Sequence, residues 1–354
     1  MNTRRSFVVH AGVRAAAHLR ADGLVPADIA CVPAAAGGPK GLALIPLDRL
    51  LFAPAHGWLR DASLELIGAS IGAWRMAAAA MPDALAALGR LAEAYIGQTY
   101  PHRPTPRQVA EQCRNLARAV LGSARAVDVR PGRTLGVVAA RARGALERNG
   151  SRAALARAAV SNTLSRARLA AHLQRVIFTA GEARFPAAAF DRFGIDRVAL
   201  DAHNSEDALL ASGSIPLLCE PVHNPAGAPR GEYWDGGLID YHLLLPYSQL
   251  PKLVLYPHFA PHVTAGWLDK FLPWRRHAYS HPWLDNVLLI SPSPAMLDRL
   301  PNRKLPDRND FYRYGLDHAG RQRDWRRAMS ESERFADEVM AWLERPDPSL
   351  VQPL

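Results

Sequence analysis

The sequence predicts an α/β fold, layered α/β/α around a mainly parallel central sheet. Two units of strand, glycine turn and helix predict it. "DIACVPAAAGG" runs an apolar strand into a glycine loop and is followed by the helical "LALIPLDRLLF". "SLELIGAS" repeats the scheme, bending into "IGAWRMAAAAM". Strands that alternate with helices pair in parallel, because the crossover helix carries the chain back to the same end of the sheet. A third observation is the set of later apolar runs, "DRVALDA", "GEYWDGGLI", "KLVLYPHF" and "NVLLISPS", which supply further strands.

The elements follow in order. Residues 11–22 form an amphipathic helix. The strand at 29–34 and the helix after it make the first unit; "LELI" and the alanine-rich helix after Ser70 make the second. Pro82 and Asp83 start a further helix, "PDALAALGRLAEAYIG", with proline in its first turn and an acid near the positive end of the dipole. Residues 101–178 are rich in Ala, Arg and Leu. They read as a helical insertion with one strand-like interruption at "RTLGVVAARARG". The last helix, "QRDWRRAMSESERFADEVMAWLE", places Trp325, Met329, Val339 and Leu343 at near-helical spacing, the pattern of core packing. The expected organisation is an N-terminal extension (1–28), one catalytic domain (29–300, with the insertion at about 101–178) and a C-terminal helical segment (301–354) packed on that domain.

Composition bounds the function. The 354 residues are 49 % hydrophobic and 21 % charged, which suits a globular chain with a large core. No apolar run approaches the ~18 residues that span a bilayer. The formal net charge is +10, carried almost entirely by arginine; Lys40, Lys252, Lys270 and Lys304 are the lysines. Such a surface attracts anionic partners such as lipid headgroups. No nucleic-acid-binding module is present, so nucleic acid is not an expected partner. Cys31, Cys113 and Cys219 are odd in number and lack metal spacing, which argues against a disulfide framework or a zinc site and for a reducing compartment. "TRRSFVV" resembles a twin-arginine export start, but His10, Arg14, His18 and Arg20 break the apolar stretch such a signal needs. A cytoplasmic protein, peripheral to a membrane at most, is expected.

Three glycine-bearing turns carry chemistry. "GASIG" at 68–72 centres Ser70 on a strand-to-helix bend. A serine hydroxyl acts as a nucleophile only when exposed beside a base, and a sharp elbow with small neighbours, here Gly68 and Gly72, exposes it. "AGGPKG" at 36–41 offers the backbone N–H groups of Gly37 and Gly38 as an oxyanion hole, with Pro39 fixing the turn and Lys40 and Gly41 completing it. A phosphate loop would require Ser or Thr after Lys40, and Gly41 stands there. "DGG" at 235–237 ends a strand with Asp235, followed by Gly236 and Gly237. In water an aspartate is a poor base, but burial raises its pKa and direct contact makes proton transfer feasible.

These turns, with "ALLASGSIPLLCEPV" at 208–222, resemble the patatin-like phospholipase family, which carries a glycine-rich loop, a G-x-S-x-G elbow and a D-G-(Gly or Ala) turn in that order. The resemblance spans about residues 29–243. It implies a patatin-like fold, with Ser70 as nucleophile, Asp235 as base, the oxyanion hole at Gly37–Gly38, and no metal or cofactor. The first glycine of the family's loop is Ala36 here. A Ser-acid-His triad using His242, His258 or His262 is the competing arrangement; the glycine loop 30 residues upstream favours the dyad.

The expected activity is hydrolysis of acyl esters of lipids, as by a phospholipase A or lysophospholipase. Two alternatives stay open: a soluble short-chain carboxylesterase or acyltransferase, and a non-catalytic membrane-binding module on the same fold. Residues 262–284, where Trp267, Phe271, Leu272, Trp274 and Trp283 alternate with Lys270, Arg275 and Arg276, are the expected contact with an anionic membrane.

Overall fold

The computed structural model describes residues 5–148, 152–182, 185–276 and 281–354. The first half of the chain runs β1 (Phe7–Ala11), α1 (Val13–Ala21), β2 (Ile29–Ala34), α2 (Ile45–Phe52), β3 (Leu64–Ala69), α3 (Ile71–Ala80), α4 (Ala84–Gly97), α5 (Pro106–Leu121) and β4 (Arg133–Ala142). It continues through α6 (Ala145–Arg148), α7 (Arg152–Leu164), α8 (Arg166–Leu169), β5 (Leu173–Ala180), β6 (Asp196–Ala199), α9 (Ser205–Gly213), β7 (Val222–His223) and β8 (Glu232–Asp235). The last part comprises β9 (Leu253–Pro257), β10 (Val287–Pro292), α10 (Pro294–Arg299), α11 (Asn309–Tyr314), α12 (His318–Glu344) and β11 (Val351–Pro353).

One mixed sheet runs in the order β11-β1-β10-β9-β2-β3-β4-β5-β6, with β8 paired to β4 and β7 to β8. The central run β10-β9-β2-β3-β4 is parallel throughout. Its strands are apolar along almost their whole length, as strands covered on both faces must be. The helix α3 is buried at all ten positions, and its four consecutive alanines let it lie close to β3, β2 and β4. The long α12 packs on α2 and α4 through Trp325, Ala328, Ser332, Phe335, Val339 and Leu343, a stripe at helical spacing. No helix among the described residues is long and apolar enough to cross a membrane.

Several expectations change. The segment read as an N-terminal extension supplies β1, which pairs with β10 and β11, so residues 7–11 belong to the sheet. Thr3 and Arg4 of the export-like start lie outside the described residues. Within 101–178 the expected strand-like interruption is β4, a strand of the main sheet, but the stretch also holds a second strand, β5, where helix is expected, and β5 pairs with β4 over eight residues. The helix expected from Pro82 starts at Ala84, with Asp83 at the N-cap and its carboxylate 2.9 Å from Arg90. By contrast, α5 begins with a reciprocal Thr105–Gln108 cap followed directly by proline.

Candidate active site

Register along β4 brings the key residues together. On one edge of β4, β3 runs parallel and sets Ala69 opposite Val138. On the same edge, β8 arrives antiparallel and sets Asp235 opposite Ala139. The two strands therefore meet end to end on consecutive residues of β4, one strand step of about 3.3 Å apart. Ser70 follows Ala69 directly. On the other side of β3, β2 sets Ala34 opposite Gly68, so the Ala36–Gly41 loop leaves the sheet at the same end. Ligands of open α/β sheets collect at this carboxyl end of the parallel strands.

Ser70 has φ 57° and ψ −129°, a left-handed conformation that side chains rarely adopt. Such strain typically costs about 1–3 kcal/mol and holds the hydroxyl out from the bend. The bend is possible because Gly68 and Gly72 lack side chains: a Cβ on Gly72 would lie 1.9 Å from the Ala34 carbonyl oxygen, and one on Gly68 2.4 Å from the Ala73 nitrogen. The N–H of Ser70 donates to Ser212 Oγ at 2.9 Å, and that hydroxyl donates to the Val138 carbonyl at 2.6 Å. Two residues on, the Ser214 carbonyl accepts the Asp235 N–H at 2.7 Å. The end of α9 thus holds both Ser70 and Asp235, and no local pattern marks Ser212 for that role.

The Asp235 carboxylate is 6 % exposed. Burial pushes its pKa up from 3.8 to about 6, against the pull of the Ser70 hydroxyl, the Gly237 N–H and the Arg308 guanidinium. The Gly237 N–H donates to Oδ1 at 2.7 Å, which fixes the rotamer and leaves the other oxygen for a proton. A carboxylate titrating near 6 is ionised at neutral pH and more basic than one in water.

In the glycine loop, the Ala36 N–H donates to the Tyr241 carbonyl at 2.9 Å and is unavailable to an oxyanion. The N–H groups of Gly37 and Gly38 have no acceptor among the described residues. Gly38 has φ 56°, which turns the peptide between them. Both glycines line a chamber of ≈ 220 Å³ together with Ser70, Asp235, Gly237 and Lys40. Gly41 packs its backbone on Ile71, and Gly236 lies against the Val138 carbonyl. A second chamber of ≈ 350 Å³ opens from Ser70, Gly38 and Ile215 and is walled by Trp74, Tyr95, Leu116, Leu218 and Phe311. The two chambers share Ser70, so a group bound there has a polar side and an apolar side.

The histidines of the competing triad stand apart. His242 and His258 are buried in an aromatic stack with Tyr241 and Phe259, and neither they nor His262 line the chamber. Burial holds His242 and His258 neutral, the latter with a pKa of about 3. In the segment 262–284, Trp267 and Lys270 line the polar chamber, Phe271 and Trp274 are exposed, and Trp283 packs edge-on against Phe190. His277 to Ser280 lie outside the described residues. Sequence reading missed Tyr241, Arg308 and Asn309 as lining residues; nothing in their local patterns marks them. Compared with known proteins, the chain matches no family model and no curated sequence.

Proposed function

We propose that this chain is a serine hydrolase of lipid acyl esters, of the patatin-like kind. Ser70 Oγ attacks the ester carbonyl as Asp235 takes its proton. The oxyanion is held by the Gly37 and Gly38 N–H groups. The alcohol leaves with a proton returned from Asp235. Water, activated by the same carboxylate, then releases the fatty acid from the acyl-serine. The observation that carries this reading is that Asp235 and Ala69, the residue before Ser70, stand opposite consecutive β4 positions, beside two unengaged N–H donors. The adjoining apolar chamber supports a fatty acyl chain as the group attached to the carbonyl. Exposed Leu217, Tyr312, Leu316, Phe271 and Trp274 support contact with a lipid surface.

The test is hydrolysis of p-nitrophenyl esters from acetate to palmitate by the wild type and by Ser70→Ala. Turnover that favours longer chains and is abolished by the substitution is the expected result. A preference for acetate would point to a short-chain esterase. Liposome sedimentation without turnover at any length would point to a binding module.

A further inference from the structure

The mechanism leaves three side chains without a task. Lys40, Lys270 and Arg308 all line the polar chamber, from three separate parts of the chain: the glycine loop, the turn after Trp267 and the residue before α11. None has a carboxylate within 4 Å among the described residues. Asp307, the chamber's other carboxylate besides Asp235, is paired with Lys304 at 3.0 Å, and Lys304 also holds Asp310 at 2.6 Å. The three cations therefore have no direct ion pair; Asp307 attracts Lys40 and Asp235 attracts Arg308 only from a distance, which leaves positive charge in excess.

They are also partly withdrawn from water. The Lys270 ammonium sits 4.6 Å from the Trp267 ring centre and 4.8 Å from that of Phe271, and Lys40 lies 5.1 Å from that of Phe259. Ring faces offset part of the lost hydration but add no charge. Desolvation, then repulsion from Arg308 and Lys40, brings the Lys270 pKa down to about 8, and burial likewise lowers that of Lys40. Like charges gathered in a half-buried chamber oppose one another unless an anion joins them. At ≈ 220 Å³ the chamber falls below the roughly 300–1,000 Å³ of sites for drug-sized ligands, so it suits a compact group.

We propose that this chamber is a subsite for a phosphate on the leaving alcohol: the substrate is a fatty acyl ester whose alcohol carries a phosphate monoester within a few bonds of the ester. Three cations match a group of nearly two negative charges better than a singly charged carboxylate. The placement of the acyl chain in the apolar chamber rests on the hydrolase reading above. The anion subsite rests on the cations alone.

The test uses the full chain carrying Ser70→Ala, titrated calorimetrically with 1-lauroylglycerol 3-phosphate and with 1-lauroylglycerol, both below their aggregation thresholds. The phosphate lipid is expected to bind at least tenfold more tightly. Adding Lys270→Ala or Arg308→Ala reduces that preference at least fivefold, and Lys270→Arg restores most of it. Both side chains are partly exposed, and melting temperatures check that the variants fold. Inorganic phosphate alone is expected to bind at least a hundredfold more weakly than the phosphate lipid; equal affinity would assign the site to the free anion and overturn the proposal. Equal affinity for the two lipids, or a preference untouched by either alanine variant, overturns it too. Wild-type hydrolysis of both lipids separates the two readings. No turnover with a retained binding preference sinks the hydrolase and keeps the subsite. Turnover of both lipids without a binding preference does the reverse.

Discussion

Replacing Asp235 with asparagine should stabilise the fold while removing activity. The carboxylate is buried, and its pKa of about 6 stands above the ordinary 3.8 because the charged form is poorly solvated there. At about 1.4 kcal/mol for each tenfold change, keeping it ionised costs the folded chain about 3 kcal/mol. The sign follows from proton counting. Between pH 3.8 and about 6 the folded state binds the proton more tightly than the unfolded state, so stability falls as pH rises. Above 6 both states are ionised and the whole penalty is present. Below 3.8 it vanishes. Asparagine keeps an oxygen for the Gly237 N–H and carries no charge. With an unfolding entropy of about 2 cal/mol/K per residue, about 3 kcal/mol raises Tm by about 4 °C in a chain of this length. Differential scanning fluorimetry of Asp235→Asn and wild type at pH 7.5 and pH 4 should show that gain at 7.5 and none at 4. Esterase activity at 7.5 should fall about 10³-fold. A variant that melts at or below wild type at pH 7.5, or a difference independent of pH, refutes the reasoning.

The same carboxylate predicts that kcat/KM for a neutral ester climbs about tenfold between pH 5 and 7 as the base ionises, along a limb centred near 6; a flat profile would remove Asp235 from the base's role. Gly72→Ala sets a methyl 1.9 Å from the Ala34 oxygen and should destabilise by at least about 3 kcal/mol, read as a drop in urea midpoint or as insoluble protein. Ser212→Ala leaves the Ser70 N–H without its acceptor and should lose about 1–3 kcal/mol of stability. It should also lower kcat more than it raises KM, because it loosens the nucleophile's backbone; an unchanged kcat would make that hydrogen bond irrelevant to the elbow.

The parallel core of the fold was legible because β2, β3, β9 and β10 are apolar runs closed by glycine, proline or serine, and α3 and α12 repeat at helical spacing. Strand β5 was hidden for a physical reason. It carries Gln174 and Arg175 among its buried positions, and the strand pattern expects no arginine there. Arg175 is tolerated because Asp240 and Asp191 clamp its guanidinium at 2.6–2.9 Å, partners far off in sequence. Strand β1 was hidden by the arginines before it and the histidine within it. At the candidate site, Ser70, Asp235 and the glycine loop announce themselves through local turn chemistry. Lys270 and Arg308 do not: Lys270 reads as part of a membrane-facing stretch and Arg308 carries no local signal, and only the folding of separate loops toward one chamber gathers them.

The hydrogen bond from Ala36 to the Tyr241 carbonyl has a mechanical consequence. It fastens the Gly37–Gly38 loop to the turn that carries Asp235, and the Trp267 N–H, bonded to the Gly237 carbonyl, braces that turn from beyond. Gly37, Gly38, Ser70 and Asp235 are thus held within one block bound to the sheet. On the proposed reading, room for a bulky lipid then has to come from the periphery, where Phe271, Trp274 and Tyr312 are exposed, and not from the bend that carries Ser70.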